Sequence, residues 1–533
     1  MKSFLKSIGR KTAILTVSVL LIIFGVVERI SYLTAPPDGD KECEQLNRDF
    51  SVLNFISTAI ASTVSLPWAQ EGGVINDASC INETQVEGVV AIKTEDDIRN
   101  SLAYAQAENL EVSMAGAKHS MGGQAFAQNN LILDMSGYNQ IEVNEQEMTM
   151  TVQSGATWDQ IQDVLHPQFA VSAMQSTNIF TVGGSISVNA HGMDHRAGAV
   201  ENTIEWMRVM LPDGSVHTVS RDKNPELYET VVGGYGLAGV ILDAKIKIVD
   251  NDLYTSKREV IDYQEFPAFF EDSIMSNDDI GLMYAHLSTF PGDSFLKETL
   301  VYTYEQTPDE SVSDADIPPL GEVSSTKLRR FVINLAKYGG LAQRIKWMTE
   351  KHVEPLLESC RISRNQAQAS GEKCLVSRNE PMNDSVKYLK NDLKNETDIL
   401  HEYFIPRDNI VTFIDDMREV LRDQDVNLLN ASIRAVNAER GLLSYAPKEA
   451  YSVVLYINQK TTKEGHRRMA ALTSDLIDIT NKHDGRFFLP YQLHYSPEQL
   501  EESYPEINTF FQRKQQYDPN ELFTNTFYNK YVN

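Results

Sequence analysis

Short apolar runs broken by turn formers dominate the first half of this chain. Val89 to Ile92, Glu111 to Met114, Leu131 to Leu133, Met148 to Val152 and Met207 to Leu211 each read as a strand. Thr94 followed by Glu95, Asp96 and Asp97 predicts a capped helix start, with acidic residues at the positive end of the helix dipole. Ile98, Leu102 and Ala105 mark that helix's inner face. Pro212-Asp213-Gly214 turns the chain into Val216 to Val219, a hairpin signal. Beyond residue 250 the pattern changes. Residues 305 to 325 are acidic and contain prolines, so they read as a solvated loop. Lys327 to Lys351 then carries seven Lys/Arg against Glu350 alone, interleaved with Phe331, Ile333, Leu335, Leu341, Ile345, Trp347 and Met348. This stretch reads first as a partly exposed helix packed on its own domain, broken at Gly339-Gly340; the second reading is a basic helix on an anionic membrane surface. Asn409 to Arg422 and Lys463 to Lys482 predict helices, and Leu428 to Val436 and Ser452 to Ile457 predict strands. The class is α+β, with no internal repeat.

With 533 residues the chain makes more than one domain. Its net charge of −26 excludes nucleic acid as a partner, because the phosphates would be repelled. Lys2, Lys6, Arg10 and Lys11 precede an uncharged run, Thr12 to Val27, that Glu28-Arg29 ends. Extended by Ile30 to Leu33, it predicts an N-terminal transmembrane signal anchor over residues 1–33, with a cleaved signal peptide as the alternative. The positive-inside rule then puts the body on the extracytoplasmic side. The pairs Cys43 and Cys80, and Cys360 and Cys374, suggest two disulfides, against four unrelated thiols. No CxxC spacing is present, and no metal site is expected.

Two glycine-bearing stretches carry the chemistry. Val112 to Phe126 sets Gly116, Gly122 and Gly123 around Lys118-His119-Ser120, directly after a predicted strand. Such a loop lets backbone N–H groups approach a diphosphate. Thr181 to Arg196 follows, with Val182-Gly183-Gly184 and Ala190-His191-Gly192. A third stretch runs from Gly233 to Ile241. Together they resemble the flavin-contacting segments of the vanillyl-alcohol oxidase (PCMH-type) superfamily of FAD-dependent oxidoreductases, especially cytokinin dehydrogenases, sugar-lactone or alditol oxidases and decaprenylphosphoryl-ribose oxidases. The resemblance runs from about Val86 to the C-terminus. Ahead of it, the break at Pro36-Pro37-Asp38-Gly39 marks 34–85 as a spacer and entry segment; the resemblance itself implies a two-subdomain FAD-binding domain at 86–250 and an α+β substrate cap with an antiparallel sheet at 251–485. Residues 486–533 would return to the FAD domain through Asp518-Pro519-Asn520-Glu521-Leu522-Phe523-Thr524-Asn525.

The same resemblance implies the site. Ala115, Gly116, Ala117, Lys118, Ser120, Gly123 and Gln124 would serve the diphosphate side, and His119 would join the flavin covalently. Lys118 departs from the pattern, since many relatives have Gly there. Thr181, Gly183, Gly184, Ser187, Ala190, His191 and Gly192 would line the other side, with Gly239, Ile241 and Asn525 completing the cofactor set. His191 would stabilise the reduced ring, and Ala190 hints at a dehydrogenase over an oxidase. Glu402, Arg434 and His494 would act on the substrate, His494 or Glu402 as base and Arg434 as anchor. For these three a salt bridge or buried hydrogen bond is an equal reading. The implied activity is oxidation of a CH–OH group in a sugar-derived molecule, with electrons leaving to oxygen or a quinone. Two rivals stay open: the oxidative half of a polyprenyl-phosphate-sugar epimerisation, and a flavin-binding protein without catalysis.

Overall fold

The computed structural model describes residues 25–35, 43, 66–306, 317–321, 326–352, 375–387, 389 and 393–532. Three sheets organise them. In the first, strands Gly88–Ala91, Leu131–Asp134 and Val112–Ala115 are parallel, and Trp68–Glu71 adds antiparallel to the edge. Val90, Leu131, Ile132, Leu133 and Val112 are fully or almost fully buried, as expected of parallel strands covered on both faces. Glu95–Glu108 covers one face; Thr94 caps it and forms a capping box with Asp97.

The second sheet is antiparallel, in the order Val216–Val219, Ile204–Met210, Val240–Asp250, Thr149–Gln153, Ile141–Asn144. Its hairpin turns at the predicted Pro212-Asp213-Gly214. The third sheet has eight antiparallel strands, ordered Leu375–Ser377, Leu253–Asp262, Glu298–Gln306, Ile280–Leu287, Leu428–Val436, Ala450–Lys460, Glu396–Pro406, Arg486–Phe487. Ile410–Asp423 and Lys463–Lys482 pack on one face of it, the latter through Met469, Leu472, Leu476 and Ile477 at helical spacing. Its other face is left for the site.

Two expected boundaries move. The first sheet begins at Trp68, so part of the predicted spacer belongs to that sheet. Arg486–Phe487 still pairs with Glu396–Pro406, so the return to the first domain starts later than residue 486. That return is made by the C-terminal segment: Val112 N–H donates to Leu522 C=O, and Thr524 N–H donates to Val112 C=O. The basic stretch is two helices, Thr326–Ala336 and Gly340–His352, separated where Gly339 takes φ +102°.

Cys43 and Cys80 form a disulfide across a sequence separation of 37 residues; Cys360 and Cys374 lie outside the described residues. Among the described residues no helix is long and apolar enough to cross a membrane. The predicted transmembrane helix therefore has no support there, and most of its apolar run lies outside them; the described residues 25–34 are helical.

Candidate functional site

A cavity of about 700 Å³ lies between the first two sheets and the free face of the third. Strand Val112–Ala115 delivers the loop Gly116 to Ser120 to one wall, and helix Val182–Ser187 begins the opposite wall. The two walls touch. A Cβ placed on Gly116 would sit 2.1 Å from Thr181 Oγ1, so only glycine allows the approach. Lys118 occupies the left-handed region at φ +55°, a conformation that glycine adopts without strain. The preference for Gly at this position thus has a backbone cause.

The donor set differs between the loops. The N–H groups of Gly116, Ala117, Lys118 and Ser120 make no hydrogen bond to described residues, and they surround a left-handed residue, as in an anion-binding concavity. At the second loop the helix start is already capped: Val182 N–H donates to Ala156 C=O, Gly183 N–H to Ser154 C=O, and Gly184 N–H to Thr181 Oγ1. Gly183 and Gly184 line the cavity by close approach, and their donors are engaged elsewhere.

Four of the expected site residues do not line the cavity. Gly123, Gly192, Asn525 and His494 lie outside the cavity wall. Gly123 N–H donates to Asp77 Oδ2. A Cβ on Gly192 would overlap Met174 C=O at 1.9 Å, so glycine serves packing there. Asn525 accepts from Tyr528 N–H as a helix cap and donates to Tyr235 C=O, which holds the segment that lines the cavity. The His494 pKa is lowered to about 4 by burial, then by Lys530 and His466. Gln124 does line the wall, but its amide joins Leu489 and Tyr491 carbonyls to the first loop. The other expected residues (Ala115, His119, Ser187, Ala190, His191, Gly239, Ile241, Glu402 and Arg434 among them) all line the cavity.

On the third sheet, register sets the chemistry. Glu402 pairs with Val454, which pairs with Ser432; Arg434 pairs with Ser452. Alternation therefore puts Asn430, Ser432 and Arg434 on the face that carries Glu402. All four line the cavity. Glu402 Oε1 lies 2.7 Å from His191 Nε2 and accepts from Ser452 Oγ, and Oε2 accepts from Tyr491 Oη at 3.2 Å. Burial pushes the Glu402 carboxyl upward, but His191, Ser452 and Arg434 outweigh it and hold the group below the usual carboxylate value. Burial lowers the Arg434 guanidinium while Glu402 opposes the shift, and arginine stays cationic. Further along the same wall, His286 Nδ1 meets Glu350 at 2.5 Å beside Lys346.

Sequence reasoning missed Tyr491 and Ser452. Tyr491 stood three residues from the His494 that was expected. The signal for the sheet residues was present: Tyr284 with His286, and Asn430 with Ser432 and Arg434, place polar groups at every second position of buried strands.

The cavity carries buried polar atoms with no partner among the described residues: Ser154 Oγ, Ser176 Oγ, Thr177 Oγ1, His191 Nδ1 and Arg434 Nε. Buried groups of this kind call for a polar ligand. A long ligand with an anionic centre near residues 116–120 and a polar ring reaching His191 and Arg434 fits this donor set.

Comparisons with known proteins agree. Residues 86–220 match the family described as FAD binding domain, and residues 313–531 match the family described as D-arabinono-1,4-lactone oxidase. The chain is similar to cytokinin dehydrogenase 2 of Arabidopsis thaliana, 27% identical over 54% of this chain and 57% of that one. It is also similar to decaprenylphosphoryl-beta-D-ribose oxidase of Mycolicibacterium smegmatis, 30% identical over 30% and 37%. L-gulonolactone oxidase of Mus musculus is 26% identical over 29% and 35%. The chain thus spans between about a third and somewhat over half of the length of these relatives. The cofactor is FAD.

Proposed function

We propose that this chain, a PCMH-type FAD-dependent oxidoreductase, oxidises a secondary or anomeric alcohol of a sugar-derived molecule such as an aldonolactone or alditol. The bound flavin supplies a hydride acceptor at its N5. Everything else is asked of the chain. Arg434, buried and with Nε unpartnered, holds the polar oxygens of the substrate. Glu402, kept ionised, takes the hydroxyl proton as the C–H bond breaks. Tyr491 and Ser452 fix the carboxylate's orientation through its two oxygens. His191 donates Nε2–H to the ionised Glu402, so its Nδ1 is a donor only in the imidazolium form that this carboxylate pairs with; in that form it would favour the reduced ring.

The observation that carries this reading is the Glu402–His191–Arg434 group inside the chamber that the glycine loops wall. The test is anaerobic mixing with a panel of aldonolactones, alditols and glycosides while the flavin colour is followed. Bleaching by one class supports the reading. Colour that persists against every class contradicts it.

Two finer points belong to the same reading. His119 lies against Phe180 on the cavity wall, at a ring separation of 5.2 Å, and is assigned the covalent link to the flavin. Acid precipitation should leave yellow colour in the pellet of the native protein and in the supernatant of H119A. Ala190, almost fully buried on the wall, favours an acceptor other than oxygen. Turnover should then be faster with a soluble quinone than with oxygen. The Cys43–Cys80 disulfide supports a body on the oxidising side of a membrane.

A further inference from the structure

Twelve large apolar side chains are exposed among the described residues, and eight of them fall on one pair of segments, residues 25–34 and 326–352. These segments pack together. Leu33 C=O accepts from Asn334 Nδ2, Thr34 C=O accepts from Arg330, and the Arg29 guanidinium lies 4.4 Å from the Tyr338 ring centre. On Gly340–His352 the outward residues Leu341, Ile345 and Met348 follow helical spacing, and Leu341 is 76% exposed. The opposite side of that helix is fastened to the third sheet: Trp347 Nε1 donates to Glu298, and Glu350 meets His286. The helix is therefore amphipathic in an inverted sense, with apolar residues on its solvent side as well as beneath it. Val26, Val27 and Ile30 extend the same apolar surface on the first segment.

We infer that this surface rests on a lipid bilayer. Three observations select that occupant. First, the uncharged run Thr12 to Val27 ends inside the patch, at Val26 and Val27, so apolar sequence continues straight into it. Second, the exposed charged residues on these helices are Arg29, Lys327 and Arg344 against Glu28 alone, in a chain of net charge −26. Cations beside an apolar stripe suit the headgroup–acyl boundary, where an otherwise acidic protein would be repelled. Third, the catalytic cavity opens here. Leu328 is 48% exposed and also lines the cavity, together with Val332, Ile333 and Thr349. A ligand dissolved in the bilayer then reaches the chamber without crossing bulk water. The patch would meet the bilayer whichever substrate is oxidised.

The test places a probe on the full-length chain. Ile345→Cys and, as a distant control, the exposed Val164→Cys are labelled with an environment-sensitive fluorophore, and the label on native thiols is measured in the unsubstituted chain. Both are mixed with vesicles of phosphatidylcholine and phosphatidylglycerol carrying brominated acyl chains. Retained flavin colour reports that each variant is folded. The expected result is a blue shift and loss of at least half of the emission for I345C, with V164C unchanged. Equal quenching of the two, or none of either, overturns the inference. So does an I345C label that is already shielded without vesicles in a chain that sediments as a dimer, which assigns the patch to self-association.

Discussion

Glu402 gathers His191, Ser452 and Tyr491 on two oxygens, and that crowding decides its protonation. Its carboxyl is depressed below 4.5, so it is ionised above that pH and loses its charge only as pH falls through the depressed value. The rate of flavin reduction should accordingly stay flat on the acid side from neutrality down to below about 4.5, as read by stopped-flow absorbance. Two backbone positions offer sharper tests. Gly116→Ala forces a Cβ to within 2.1 Å of Thr181 Oγ1, and overpacking of that kind costs roughly 1–3 kcal/mol. Urea unfolding should show that loss together with weaker FAD retention. At Lys118, φ +55° is harder for a β-branched residue than for Lys. Lys118→Val should therefore destabilise by about 1–2 kcal/mol while Lys118→Gly is tolerated. These residues were legible because their chemistry is local. His494 shows the opposite case: of the segment after Leu489 it is Tyr491 that lines the chamber and His494 that does not, and no local pattern separates two polar residues three apart.

Elements with strong end signals were readable from sequence. Thr94 with three acids fixed one helix start, and Leu428–Val436 and Lys463–Lys482 fall where their apolar period puts them. What was not legible is the order of the eight-stranded sheet, in which Ile280–Leu287 neighbours Leu428–Val436 from far along the chain. That pairing is set by which buried faces meet, and nothing in either strand names its partner. Asn525 shows how an element's role differs from a motif's expected role. Its side chain caps Thr526–Tyr531 and tethers Tyr235. Asn525→Ala should cost about 1–2 kcal/mol from the lost cap, seen as a lower melting temperature, with the flavin spectrum kept. Glu350 fastens helix Gly340–His352 to the sheet. Despite burial its carboxyl is held down to about 2 by Lys346 and His286, so the stability it contributes is complete above 4.5 and is lost as pH falls toward 2. Glu350→Gln should remove that part of the acid sensitivity, measured as the urea midpoint between pH 5 and about 2.

In the whole molecule two glycine loops, a sheet face whose Glu402 lies 211 residues beyond His191, and a C-terminal segment that bridges to the first sheet at Val112 meet around one chamber. The most direct measurement is the rate of flavin bleaching under anaerobic single turnover in wild type and in Glu402→Gln. The account predicts that both bind FAD with the same visible spectrum and that the variant is reduced about 10²–10⁴-fold more slowly. A colourless wild-type protein, or a variant reduced at the wild-type rate, would contradict it.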